Sequence, residues 1–250
     1  PVHAKAAGRP PSGMDAATAA LFPSDFQDSE LGEIPAGWRV GKLGEFLEVG
    51  IGGAWGEETA TAKQTVAVKC LRGIDCHDLA QRSLPEIPIR YIGQRQFDDR
   101  KLTEGCVLVE GSGSFCGRSM LWLSEYSALT GQSVCYSNFC KRLDPKCTPS
   151  QALVCWMQFR KAYDDGGLSG FRTGTAFPNF DIHGALSGLN VACPPPEVAD
   201  AFLAFYRNWL RLDLIDQSRT LATLRDTLLP KLLSGELSTA TATAIIEASP

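Results

Sequence analysis

Nine cysteines, three histidines and two glycine-rich runs are the parts of this 250-residue chain whose types and spacing could do chemistry. The cysteines stand at 70, 76, 106, 116, 135, 140, 147, 155 and 193. Their number is odd and no two are spaced C-x-x-C, so the spacing encodes neither a disulfide framework nor a zinc site. Cys76 beside His77 is the nearest approach to a ligand or nucleophile pair, and free buried thiols in a reducing compartment account better for the set. His3, His77 and His183 belong to no H-E-x-x-H, and there is neither a G-x-S-x-G elbow nor the Asn-Pro-Pro-aromatic tetrad of an adenine methyltransferase. Gly50, Gly52, Gly53 and Gly56 crowd around Trp55 and call for backbone that turns tightly or approaches something closely, but the lysine and hydroxyl of a phosphate loop are missing. The second run, GSGSFCGRS from Gly111 to Ser119, places Ser112, Ser114, Arg118 and Ser119 on a loop suited to phosphates or base edges.

The elements that must hold these loops are short. Residues 1–37 are rich in Ala, Gly, Pro and Ser and read as a linker with one short helix at 15–21, closed by SELGEIPAGW, whose Leu31, Ile34 and Trp38 can staple it to the domain beyond. Thr65 to Leu71 alternates as a strand, with Arg72 to Asp75 leaving it as a loop. CVLVE, ending at Glu110, is a second strand, and Ser133 to Tyr136 and Phe139 to Leu143 suggest strand passing near Asn138. Gln151 to Tyr163 carries the helical pattern Leu153, Trp156, Phe159, Tyr163. Arg172 to Thr175 is a polar loop, and Leu186 to Cys193 a final strand. The reading is a mixed α/β (α+β) domain over 38–193.

After Pro194 to Pro196 the chain changes character. No Pro or Gly occurs between Glu197 and Leu229, long enough for one helix of about 33 residues, or about 50 Å. Leu203, Leu210, Gln217 and Leu224 stand seven apart, with Leu214, Leu221 and Leu228 in a second row, so the period is that of a coiled-coil seam. Gln217 is the polar position that can fix register. Phe202, Phe205 and Trp209 form a separate stripe suited to a globular neighbour. Pro230 should kink the helix or open a fresh turn, Gly235 suits its cap, and 238–250 reads as a flexible tail.

With 44% hydrophobic and 21% charged residues the composition is that of an ordinary soluble protein. No run approaches the length needed to span a bilayer and the start lacks a signal-peptide core, so the cytoplasm is the default compartment. The net charge of −4 argues against a generic polyanion binder. Residues 1–37 hold two basic and five acidic side chains, 38–192 seventeen and sixteen, and 193–250 five and seven. Any nucleic-acid contact must therefore be a local patch in the nearly balanced middle. The densest cationic stretch, Arg90, Arg95, Arg100 and Lys101, is diluted by Asp98 and Asp99 and reads as a solvated face.

Three segments in order carry a family resemblance. LATLRDTLLPKLLSGEL, Leu221 to Leu237, resembles the closing helix of a conserved region in specificity (S) subunits of type I restriction-modification systems. GTAFPNFDIHGALSGLNVACPPP is similar to the end of a target recognition domain in that family, and Ser29 to Trp38 to its start. The chain departs from the family at Gly105-Cys106, where Gly-Asp is frequent, and at Val198, where Gln is. A typical subunit has two recognition domains and two long helices. This chain, which begins at Pro1 without a Met, has one of each and reads as a C-terminal half.

The resemblance implies a linker over 1–37, a target recognition domain over 38–193 and a conserved spacer and dimerisation helix over 194–237. It implies a non-catalytic subunit that reads one half of a bipartite site in double-stranded DNA. The helix would dock modification subunits, which bind S-adenosylmethionine and transfer the methyl group, and through them restriction subunits. No cofactor or metal is expected on this chain. Polar residues on loops flanking the strands then become the expected DNA contacts: Lys69, Arg72, Ser114, Arg118, Arg172, Thr173 and Thr175. Leu210, Leu214, Gln217, Leu221, Leu224 and Leu228 become the helix-pairing set, which in an isolated half favours antiparallel self-pairing. The alternatives are a protein-protein adaptor built on the helix, and a small hydrolase-like enzyme using Cys76 and His77.

Overall fold

The computed structural model describes residues 1–130, 133–210 and 212–236, with only the backbone at 128–130, 212–219 and 222. It divides into two compact units, residues 1–210 and residues 211–250. In the first unit the chain runs α1 (Val2–Ala6), α2 (Ala16–Ala20), β1 (Phe26–Gln27), β2 (Ile34–Pro35), β3 (Arg39–Lys42), α3 (Leu43–Phe46) and β4 (Leu47–Val49). It continues through β5 (Val66–Leu71), α4 (Gly73–Ala80), β6 (Ile89–Ile92), α5 (Gln94–Asp99), β7 (Val107–Glu110), β8 (Ser119–Leu121), α6 (Glu125–Thr130), β9 (Val134–Tyr136) and β10 (Cys140–Pro145). The unit closes with α7 (Pro149–Asp164), β11 (Arg172–Thr173), β12 (Asn179–Phe180), α8 (Ile182–Gly188), β13 (Asn190–Cys193) and α9 (Pro196–Leu210). The second unit holds α10 (Leu212–Leu233).

Two sheets supply the scaffold. β4-β10-β7-β8 is antiparallel throughout, whereas β6-β5-β9 is mixed, with β5 antiparallel to β6 and parallel to β9. The parallel pair sets Cys70 opposite Cys135, and these join Val68 and Ile92 in a core cluster on which Trp55, Val66 and Phe97 pack. β13 pairs with β3, so the end of the α/β region returns to its beginning. The glycine crowd makes the close approach its sequence demands. A Cβ at Gly53 would stand 2.0 Å from the Ser137 carbonyl oxygen, and Gly56, at φ 71°, packs on Tyr91.

α7 is the central helix. Thr148 caps it, accepting from the Gln151 N–H at 3.2 Å, with Pro149 at its first turn where no N–H is needed. Trp156 is buried and donates its indole N–H to Ser119 Oγ at 3.0 Å, so the largest apolar residue carries no unpaired polar atom. Gln158 extends β13 by a side-chain amide: its Nε2 donates to the Ala192 carbonyl and its Oε1 accepts the Ala192 N–H, both at 2.8 Å.

The stretch that follows the prolines differs from expectation. α9 packs beside α7: Val198, Ala199, Tyr206 and Leu210 are buried and Tyr206 meets Trp156 edge-on at 6.3 Å. The packed row runs every four residues through buried Val198, half-buried Phe202 and buried Tyr206 and Leu210, so Phe205 and Trp209, expected to face a neighbour, are 64% and 44% exposed. Arg207 pairs with Glu104 and Glu125, and Gln151 Nε2 donates to the Pro194 carbonyl at 3.0 Å, fixing both ends. Leu210 is fully buried and so is not part of an exposed stripe. In α10 Pro230 does not end the helix, which reaches Leu233 before Gly235 takes a left-handed φ of 73°. Leu221, Leu229 and Leu233 are exposed, and Leu224 and Leu228 half-buried. The side chains of Leu214 and Gln217 and the expected tail at 238–250 lie outside the described residues.

Two further local readings are corrected. Arg72 to Asp75, expected as a loop, is the start of helix α4: the Asp75 carboxylate folds back to accept the Arg72 N–H at 2.8 Å, closing the first turn. The expected final strand from Leu186 is strand only from Asn190, because Asp181 caps helix α8 by accepting the Gly184 N–H at 2.9 Å.

Candidate nucleic-acid interface

Glu110 ends β7, and the chain must then turn back into β8 within the run GSGSFCGRS. Gly113 and Gly117 make that turn at φ 107° and 98°, a region L side chains avoid. The turn is closed by Gly117 N–H donating to the Glu110 carbonyl and Glu110 N–H to the Arg118 carbonyl, both at 2.8 Å. Gly111 is the hub. Its N–H donates to the Phe139 carbonyl at 2.7 Å and its own carbonyl accepts the Phe180 N–H at 2.9 Å. A Cβ there would press on the Phe139 oxygen at 3.0 Å and the Lys141 side chain at 3.1 Å, so the approach is tighter than a side chain fits without a shift of its neighbours. Gly113 N–H donates to the Pro178 carbonyl at 2.9 Å, and Ser112 bridges to Asn179. Three loops distant in sequence, 111–118, 137–139 and 171–180, are thus locked edge to edge by main-chain hydrogen bonds.

Five of the expected contact residues share this cluster. Ser114, Arg172, Thr173 and Thr175 are exposed. The Arg172 guanidinium lies over the Tyr163 ring at 5.2 Å, and Thr173 Oγ1 donates to the Asn179 carbonyl at 3.3 Å across the β11-β12 pair. Arg118 has another occupation: it pairs with Glu110 at 2.7 Å, with 10% and 13% of the two side chains exposed, and its guanidinium covers one face of Phe115. Leaving that pair would strand Glu110 in a largely buried site.

The other two stand apart from the loops. Arg72 spans Asp75 with Nε at 2.9 Å and Nη2 at 2.8 Å, and its pKa is raised by that hydrogen bond to Asp75. Its neighbour Gly73 packs so closely on Glu110 that a Cβ would overlap the carboxylate, which puts the start of α4 against the base of the cluster. Lys69 is half-buried on β5, opposite Ile89 and Val134, and among the described residues no hydrogen bond or ion pair joins it to the cluster.

Several residues of the cluster were not singled out by sequence. Phe115, Phe139 and Phe177 are 57%, 53% and 60% exposed, Asn138 and Asn179 are exposed, and Lys141 flanks Gly111. Among the described residues neither Lys141, half-buried, nor Arg172, whose guanidinium lies over Tyr163, makes an ion pair, so neither charge is neutralised by a carboxylate. The sequence signal for them was aromatic residues inside otherwise small and polar loops, as in GSGSF and FRTGTAFPNF.

The thiols are placed differently. Cys76 is fully buried in α4, its pKa raised well above the usual range by a hydrogen bond to Cys140 and by burial, so it is not presented to solvent as a nucleophile. Among the described residues no group of three His, Cys, Asp or Glu side chains could hold a metal ion, and no helix is long and apolar enough to cross a membrane. An apolar cavity of about 410 Å³, lined among others by Trp38, Met157, Val198 and Phe202, shares no residue with the loops.

No protein-family model matches the chain, and no curated protein matches it. Solved structures do. The type I restriction-modification S subunit from M. genitalium aligns at 14% identity and TM-score 0.49 over 83% of this chain and 48% of that one. The HsdS subunit from Thermoanaerobacter tengcongensis aligns at 17% and 0.41 over 88% and 50%. A chain from a study of complex assembly and conformational transition of the type I R-M system aligns at 19% and 0.42 over 91% and 49%. The chain spans about half the length of each, and what it is similar to in all three is a component of type I restriction-modification systems, in two of them the S subunit itself.

Proposed function

We propose that this chain recognises DNA sequence as one half of a type I specificity subunit, without catalysing a reaction itself. The observation that carries the reading is the loop cluster around Gly111. Main-chain bonds hold Ser114, Arg172, Thr173, Thr175, Asn138 and Asn179 on one rigid edge, with Lys141 and Arg172 free to meet phosphate. Base readout needs hydrogen-bonding side chains at fixed spacing, and phosphate contact needs cations beside them; both are supported here. The net charge of −4 fits a domain that relies on other subunits for much of its electrostatic grip.

In this reading residues 38–193 form the recognition domain and residues 194–237 the spacer and docking helix. The target is one half of a bipartite site, and the modification subunits docked on the helix bind S-adenosylmethionine and carry out methyl transfer. The leucines of α10 seat a second helix, which in the isolated half is a second copy in antiparallel pairing. The reading is tested by incubating the chain with randomised duplex DNA and sequencing the duplexes it retains. Enrichment of a short motif is expected. Retention without sequence preference, or none at all, would favour the adaptor alternative.

A further inference from the structure

We infer that Phe115, Phe139 and Phe177 form an aromatic edge that stacks on bases of the bound site, so that recognition includes local unstacking of the duplex. The inference rests on the DNA-recognition reading and says how that site engages its target. Each of the three residues is more than half exposed, on loops that are otherwise mostly Gly, Ser, Thr, Asn and Arg at the surface, with Phe180 buried and Phe171 half-buried beneath them. A large apolar side chain held in water on a preorganised loop gains by meeting an apolar face. The three rings come from three loops, and Gly111 ties those loops together through the Phe139 carbonyl, the Phe180 N–H and the neighbouring Gly113 bond to Pro178. They are therefore presented by one rigid frame.

The surroundings favour nucleic acid over protein as the occupant. Lys141 and Arg172 make no ion pair among the described residues, and the Glu110 carboxylate is paired with Arg118, whereas exposed Asp181 keeps its charge while capping α8 through the Gly184 N–H. The edge is apolar rings beside free cations and amides, which complements a base step flanked by phosphates. Arg118 covers one face of Phe115 at 4.5 Å, leaving the other for a base, and among the described residues no ring contact joins the three phenylalanines to one another.

The test uses the whole chain and a duplex recovered from the randomised pool, with 2-aminopurine placed in turn along the recovered motif. Wild type should raise 2-aminopurine fluorescence at one or two steps, reporting reduced stacking. Phe115→Leu, Phe139→Leu and Phe177→Leu, which keep apolar bulk without a ring, should abolish the rise at the step each ring meets. Alanine at the same positions should weaken binding by about 5- to 150-fold while leaving the salt dependence unchanged, since phosphate contacts remain. Thermal midpoints of the variants should match wild type, because the rings are exposed. A flat fluorescence profile with phenylalanine variants that bind as tightly as wild type would overturn the inference and leave DNA recognition standing. Unchanged DNA affinity with altered self-association would overturn it in favour of a protein contact. Failure of wild type to recover any motif would overturn the recognition reading beneath it.

Discussion

Arg118 and Glu110 form an ion pair in which both Nε, at 2.8 Å, and Nη2, at 2.7 Å, address the same carboxylate oxygen, with each side chain about one-tenth exposed. The pair straddles the β7-β8 turn and so sets the shape of the loop that carries Ser114 and Phe115. Arg118 is thereby a positioning residue. Arg118→Ala leaves Glu110 without its partner and should cost about 3 kcal/mol in urea unfolding. Replacing both residues by apolar ones of similar volume should cost less than the single change.

Gly53→Ala probes the close approach of the glycine-rich stretch to Ser137. The added methyl would meet a backbone carbonyl at 2.0 Å, which no rotamer change relieves, so the backbone must shift. We expect a loss of about 2–3 kcal/mol by denaturant titration. Gly52→Ala, with open space around its Cβ position, serves as the control and should be close to neutral.

Cys147 is the half-exposed member of nine free thiols, and its pKa is lowered by a hydrogen bond from Cys155. A thiolate-selective disulfide reagent should modify Cys147 first, with mass spectrometry locating the label. The buried thiols, with Cys106 pushed up to about 12 by desolvation, should react only on unfolding.

Leu221, Leu229 and Leu233 of α10 are exposed and Leu224 and Leu228 half-buried. Sedimentation over a range of concentrations should show self-association that Leu221→Asp and Leu228→Asp each weaken. A monomer at every concentration, unaffected by either aspartate, would remove the pairing role assigned to this helix.

Much of the fold was legible in local pattern. β5 follows from alternation, β7 from the run CVLVE and α7 from the helical spacing of Leu153, Trp156, Phe159 and Tyr163, signals that act within a few residues. The start of α4 was hidden because Gly73 reads as loop, and only the return of Asp75 to Arg72 reveals the turn. The packing of α9 was misread because Phe202, Phe205 and Trp209 look like one stripe, whereas the row that buries passes through Tyr206 and Leu210. The candidate site was half legible. Ser114, Arg172, Thr173 and Thr175 follow from polar loop composition, but their adjacency depends on Gly111 bonding to Phe139 and Phe180, partners 28 and 69 residues away. Nor does Arg118 announce in sequence that Glu110, eight residues back, already holds it.

The most direct measurement is a comparison of the sequences recovered from randomised duplex DNA by wild type and by a variant carrying Ser114→Ala, Arg172→Ala, Thr173→Ala and Thr175→Ala. Removing a side chain that reads a base should cost about 1–3 kcal/mol and relax the position it reads, whereas removing one that holds a phosphate weakens all sequences alike. Wild type should recover one short motif, and the variant, folded by circular dichroism, none or a motif degenerate at several positions. Recovery of the same motif with the same information at every position would contradict the assignment of sequence reading to the Gly111 loop cluster and place it elsewhere on the chain.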